Sequence, residues 1–477
     1  MTVVPLTLPP SSSPARYNME GNSRLVNCYV EQTDGAKAEQ TIYAMSGLDT
    51  WTTVPNGGTT SGPTGVRAFL ATDDYLYVVA GRQVTAIDTL GAQTSIVTLP
   101  ADGDVYLAKN RRSPTPEVGL VSDGVFRIIT ETSIATVTDP DLPPPVALGV
   151  SDGYFLLPTT FGRMFITGED DGSSISALDY GKAQKQPGTL LLSLGAEREV
   201  IQFLSTGIEF WTNSPDGSGN FPYVPVANIT LGCAGAKTVI QLDRAVAWLA
   251  SDGTARLLDG YSGQRISDHP QERDFHNPQG TIYGFGYNDQ STGHAWLIWR
   301  CDTWAWGYNL RTGKWCELQE TSVRTTWRGC QAVRWQNMTL VGDYEDGRIY
   351  RVDYEVNTFG GDDFTMEINL ATAHAFPSRM RLNAVYLDAV TGVGKAEAYS
   401  GDPDANPVVM LATSADGGKT FGQNRHISLG RSGDRIRRLR EYRFGKFGQQ
   451  GCTLRIQCSA AVARAISGIA IDVDKLA

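Results

Sequence analysis

From about residue 65 to residue 357 the chain repeats one pattern: a short apolar run, an Asp-Gly pair, and a second run in which apolar and polar residues alternate. Four copies are Asp123-Gly124 before Val125-Phe126-Arg127-Ile128, Asp152-Gly153 before Tyr154-Phe155, Asp252-Gly253 before Thr254-Ala255-Arg256-Leu257, and Asp346-Gly347 before Arg348-Ile349-Tyr350. Alternation with period two puts every second side chain on the same face of a strand. An Asp-Gly pair suits a two-residue hairpin turn, whose backbone needs positive φ that glycine reaches without a Cβ clash. Each copy therefore predicts a hairpin. Propeller blades run to roughly 40–50 residues in common repeat families, so this stretch has room for about six or seven. Radial closure also shields most strand edges. The expected fold is all-β: a β-propeller over residues 62–361.

On either side the pattern changes. Residues 1–61 read as an extended segment with closing strands, including the runs Arg24 to Glu31 and Gly47 to Val54. After Asp363, alternation over 365–370, 384–388, 408–413 and 453–459 predicts a smaller antiparallel β-sandwich at 362–477. Between the third and fourth of these strands lies Asp416-Gly417-Gly418, a further turn signal.

Charge sharpens the same boundary. The chain of 477 residues has a formal net charge of −10. Residues 1–361 carry 26 basic and 39 acidic side chains, a balance of −13, whereas residues 362–477 carry 15 and 12, a balance of +3. An acidic body argues against a surface built to embrace nucleic-acid phosphates. The basic excess is concentrated: arginine recurs at Arg431, Arg435, Arg437, Arg438, Arg440 and Arg443, offset by Asp434 and Glu441. Ile436, Leu439, Tyr442 and Phe444 interrupt the run with apolar positions. This segment is the candidate interface with another subunit or partner, since arginine forks suit carboxylates. The plain alternative is a solvated strand face.

Other chemistry is sparse. Seven scattered cysteines without a Cys-x-x-Cys pair, and five histidines without ligand spacing, predict buried thiols, no metal site and no cofactor. The N-terminus lacks a basic leader followed by an apolar core, and no stretch approaches the ~18–20 apolar residues that cross a bilayer. A protein made in the cytoplasm, without membrane insertion, is expected. Ser414-x-Asp416-x-Gly418-x-x-Phe421 nearly repeats the Asp-box of sialidases. In that motif the Asp bonds the backbone of its own turn, and no second carboxylate is placed for glycoside hydrolysis, so no catalytic residue is assigned and no enzyme is expected. Seven tryptophans fall between Trp296 and Trp335, with Trp304, Trp306 and Tyr308 on one strand face. They read as core, or else as a platform for stacking sugars or anchoring a partner.

Several of these segments, taken in order, resemble one family. They are Asn27-x-Tyr29-x-Glu31 followed by Gly47-Leu48, then Gly162 to Thr167 with Ser176 to Gly181, then Ile208-Glu209-Phe210-Trp211. Last come the Asp416-Gly417-Gly418 turn with Phe421, Ser428-Leu429-Gly430 and the basic strand. The order is similar to that of the packaged-DNA stabilisation proteins of short-tailed bacteriophages, also called tail accessory or tail hub proteins. The resemblance implies a virion tail component made in the host cytoplasm. Its copies would form a ring, a homo-hexamer, below the portal and its adaptor. That ring would receive the tail needle, distal tail or tailspike proteins, and genomic DNA would pass through the channel without sequence-specific binding. The competing expectation is a glycan-binding or glycan-cleaving propeller, and a third is a bacterial propeller scaffold.

Overall fold

In the computed structural model the described residues are 2–476, except 18–19, 33–37, 59–63, 198, 215–220, 321–325, 397–398, 400–401 and 435–436. Among them, seven four-stranded antiparallel units follow one another at 66–98, 105–136, 149–182, 190–229, 240–265, 283–317 and 329–353, and we number them blades 1 to 7. Blade 7 supplies three strands of its own. Its fourth is Gly47–Thr53, antiparallel to Arg348–Asp353, so the N-terminal part of the chain closes the ring. The first strand of blade 7 packs against those of blades 6 and 1. This is a seven-bladed β-propeller.

The remaining strands form a sandwich built from both ends of the chain. One sheet runs Cys28–Gln32, Gln40–Ala44, Ala465–Leu476, Arg379–Ala389, Leu439–Phe447, with Thr2–Leu6 paired to Ala465–Leu476. The other contains Met366–Asn369, Thr453–Cys458, Val408–Ser414 and Arg425–Ser428. Residues 362–477 thus provide most of the sandwich, and the segment expected merely to extend and close shares its strands between the two domains.

Two seams fuse the domains. Strand Asn22–Val26 lies parallel to the outer strand of blade 6 at Val26 and Glu317, and antiparallel to Met366–Asn369, which makes one continuous ten-stranded sheet. Thr358–Phe359 pairs with the closing strand of blade 7 through Leu48. Buried apolar side chains form one cluster from Trp296, Ile298 and Tyr350 in the propeller to Leu382, Val385 and Ile456 in the sandwich. At this junction Arg464 is buried and donates to the carbonyls of Phe364, Cys458 (3.0 Å) and Asn357 (3.4 Å). Desolvation holds its pKa below the ordinary arginine value.

The Asp-Gly pairs divide into two kinds. Ser122 pairs with Val125 and Ser151 with Tyr154, leaving two-residue turns in which Asp123, Gly124, Asp152 and Gly153 all have positive φ. The other two are not tight hairpins. Leu249 pairs with Ala255, so Asp252-Gly253 sits in a longer loop, where Asp252 accepts from the Thr254 amide and hydroxyl and only Gly253 has positive φ. Gly342 pairs with Ile349, and Gly347 has no positive φ. Glycine is needed there because a Cβ would lie 2.0 Å from the Val54 carbonyl oxygen on the closing strand.

Asp416-Gly417-Gly418 is likewise not a tight hairpin, since its flanking strands begin pairing only at Leu411 and Arg425. The Asp416 carboxylate accepts from the Ser414 and Thr420 hydroxyls (2.6 Å each) and the Lys419 and Thr420 amides. Those bonds, the Ser414 hydroxyl foremost, hold its pKa below the usual carboxylate range.

Candidate functional site: a basic sheet face on the sandwich

The basic segment enters the sandwich as Leu439–Phe447, an edge strand paired on one side with Arg379–Ala389. Leu439 and Phe447 point inward, and the positions between them face mainly solvent. The pairing carries the charge beyond the segment itself: Arg381 lies opposite Lys446, and Tyr386 opposite Arg440. Arg379 and Arg381 are exposed on the neighbouring strand, while Met380 and Leu382 between them are buried. Sequence reasoning missed these two arginines. The alternation Arg-Met-Arg-Leu at 379–382 was the signal, a strand with one basic and one apolar face.

The six arginines singled out in the sequence do not act alike. The Arg437 guanidinium bonds Asp434 at 3.1 Å, and Asp434 also accepts from the Arg431 amide. Arg438, Arg440 and Arg443 are exposed and form no ion pair with any described carboxylate. Arg440 lies over the Tyr442 ring at 5.3 Å. Arg443 takes positive φ where the pairing slips against Leu382 and Ala384, a bulge that bends the edge. Arg435 falls outside the described residues.

An edge strand exposes backbone groups to which any extended chain could add. Arg425 blocks that here. Its guanidinium donates to the Tyr442 and Arg443 carbonyls at 2.6 and 2.9 Å, pairs with Glu441 at 3.3 Å, and lies over the Phe444 ring at 4.6 Å. With two carbonyls of this strand occupied and a bulge beside them, the edge is a poor template for strand addition. Beside the bulge opens a cleft of about 1080 Å³, bounded by Arg381, Arg425, Tyr442, Arg443 and Asp474.

The tryptophans supply no competing surface. All seven between Trp296 and Trp335 are buried, and the rings of Trp299, Trp304, Trp315 and Phe275 pack together inside blades 5 and 6. The seven cysteines are free and buried. Among the described residues no group of three or more His, Cys, Asp or Glu side chains is arranged to hold a metal ion, and no helix is long and apolar enough to cross a membrane. At the propeller axis the half-buried Lys237 amine donates to the Val105 carbonyl at 2.5 Å and lies 3.8 Å from the Tyr106 ring. Desolvation pushes its pKa down to about 8.

A seven-bladed propeller and a sandwich, fused through shared sheets and carrying a basic face on the sandwich, define an all-β protein of two joined domains. Residues 22–357 match the family model described as bacteriophage P22 Gp10, beta-propeller, and residues 367–474 match bacteriophage P22 Gp10, beta-sandwich. The chain belongs to this family, the DNA-stabilisation proteins of short-tailed phages, and is a phage structural protein and virion component. None of the curated proteins matches it. Among solved structures it is similar to the WD40 propeller domain of Doa1, with 12% identity and a TM-score of 0.41 over 64% of this chain and 97% of that one. Virginiamycin B lyase from Staphylococcus aureus is similar at 11% identity and a TM-score of 0.44, over 61% and 95%.

Proposed function

We propose that this protein is a hub of the short phage tail: several copies assemble below the portal and its adaptor, help retain packaged DNA, and offer a platform for distal tail parts. Family membership supports the setting. The observation that carries the proposal is the exposed row Arg381, Arg438, Arg440, Arg443 and Lys446 on a chain whose first 361 residues carry a balance of −13. Such a face orients association with an acidic surface on a neighbouring copy or on another virion protein, because complementary charge steers and registers contacts more than it tightens them. The fused domains suit a part under mechanical load, since among the described residues shared sheets join the sandwich that carries this face to the propeller. DNA leaving past acidic blades would meet few cations to hold it.

The glycan reading loses its main support, because buried tryptophans cannot stack on sugars. The Asp416 carboxylate is spent on its own turn, and we propose no hydrolytic role for it. A screen against sialosides and bacterial surface polysaccharides tests this: turnover abolished by an Asp416→Asn variant that remains folded would reverse the assignment. The hub itself is tested by mixing the purified protein with a portal–adaptor complex and imaging the product. A ring of copies at one end of the portal is expected, and a protein that stays free at assembly concentrations would refute it.

A further inference from the structure

A second polar site lies away from the basic face, where the N-terminal strand Cys28–Gln32 crosses the turns of blade 6. It is a cavity of about 270 Å³ walled by Pro10, Val30, Glu31, His294, Arg311 and Lys314. Its geometry is fixed from behind. Asn309 accepts from the Arg311 and Thr312 amides through Oδ1, which leaves Nδ2 to donate to His294 Nδ1 at 3.0 Å. His294 is therefore the tautomer with its proton on Nε2, and it donates to Glu31 Oε1 at 2.8 Å. The ring is buried, and Tyr29 packs edge-on against it at 4.6 Å. Glu31 thus stands at the cavity wall with one oxygen bonded, and Oε2 takes no hydrogen bond from a described residue. Arg311 and Lys314 form no ion pair with a described carboxylate.

The site brings together two cations without a described carboxylate partner and a carboxylate oxygen without a described donor. Phosphate or a bare anion answers the first and is repelled by Glu31. A neutral polyol answers the second alone. We infer that this cavity binds a small molecule carrying a carboxylate together with hydroxyl or ammonium donors, its carboxylate on Arg311 and Lys314 and its donors on Glu31. The volume lies below that of typical drug-sized pockets and limits the ligand to about one sugar ring or one amino acid. A hexuronic acid and a free α-amino acid share this chemistry, and binding measurements separate them.

Calorimetry or saturation-transfer NMR on the full chain, with glucuronate, glycine, acetate, glucose and inorganic phosphate as probes, tests the inference. Glucuronate or glycine should bind at least tenfold more tightly than acetate, glucose and phosphate, and whichever of the two binds identifies the donor. Arg311→Gln, at an exposed position, should weaken that ligand at least tenfold without changing the melting temperature. Glu31→Gln should erase its advantage over acetate. Phosphate or acetate binding as well as the bifunctional ligands would reduce the cavity to a simple anion hole and overturn the inference, as would no binding by any probe. Binding that survives Arg311→Gln would place the ligand elsewhere and overturn it too.

Discussion

Gly253 and Gly347 stand in the same Asp-Gly context along the chain but are required for different reasons, and mutation separates them. At Gly253, φ is +72° and an added Cβ meets the His276 ring at 2.4 Å, a side chain that can move. Gly253→Val should cost about 1–3 kcal/mol, the usual range for a strained backbone residue. At Gly347 the obstacle is the Val54 carbonyl of the ring-closing strand, which cannot move without opening blade 7. Gly347→Val should therefore cost more, beyond the ~3 kcal/mol of an ordinary severe mutant. Denaturant titration of both variants ranks them, and equal stabilities would contradict the geometry. Lys237 offers a second test at this scale. Its folded-state pKa of about 8 lies below the unfolded value, so below pH 8 folding pays for holding a charge in a desolvated site, and that penalty fades as pH rises from about 8 toward 10.5. Relative to wild type, Lys237→Met should be more stable at pH 7 and lose that advantage by pH 10. A stability difference between the two that stays flat across this window would show that the amine is not desolvated.

At the level of elements, the seam strand Asn22–Val26 decides whether propeller and sandwich are one body. Arg24 forks onto Glu317, with Nε at 2.9 Å from Oε1, and Ser12 donates to the same carboxylate at 2.6 Å. Leu25 is 1% exposed inside the cluster that spans both domains. Leu25→Ala should cost about 2–5 kcal/mol and lower a single melting transition for the whole chain. Calorimetry resolving two transitions, with only one of them shifted, would show the domains to be independent. This seam is also what the sequence concealed. Alternation at 365–370, 384–388, 408–413 and 453–459 falls on the strands Met366–Asn369, Arg379–Ala389, Val408–Ser414 and Thr453–Cys458, and the Asp123-Gly124 and Asp152-Gly153 turns form as expected, because those features depend on neighbours in sequence. Partners hundreds of residues apart, such as Val26 with Glu317 or Gly47 with Asp353, leave no local trace. The candidate site was half legible for the same reason. The arginine run was visible as composition, whereas Arg379 and Arg381 join it only by strand pairing, and Arg425 reaches the edge carbonyls only through the fold.

For the whole molecule, the proposed docking of this virion protein onto its neighbours through the basic sheet face can be tested directly. Arg437, Arg438 and Arg440 are exposed, so changing all three to Gln removes charge without disturbing the core, and the variant should keep its melting temperature. Rim charges act mainly on encounter and salt dependence. The decisive measurement is incorporation of wild type and triple mutant onto a portal–adaptor complex across a salt series. The wild type should assemble readily at low salt and less as salt rises. The folded triple mutant should assemble poorly throughout, with a shallower salt dependence. A mutant that assembles as well as wild type at every salt concentration would contradict the account and leave the arginines as a solvated strand face.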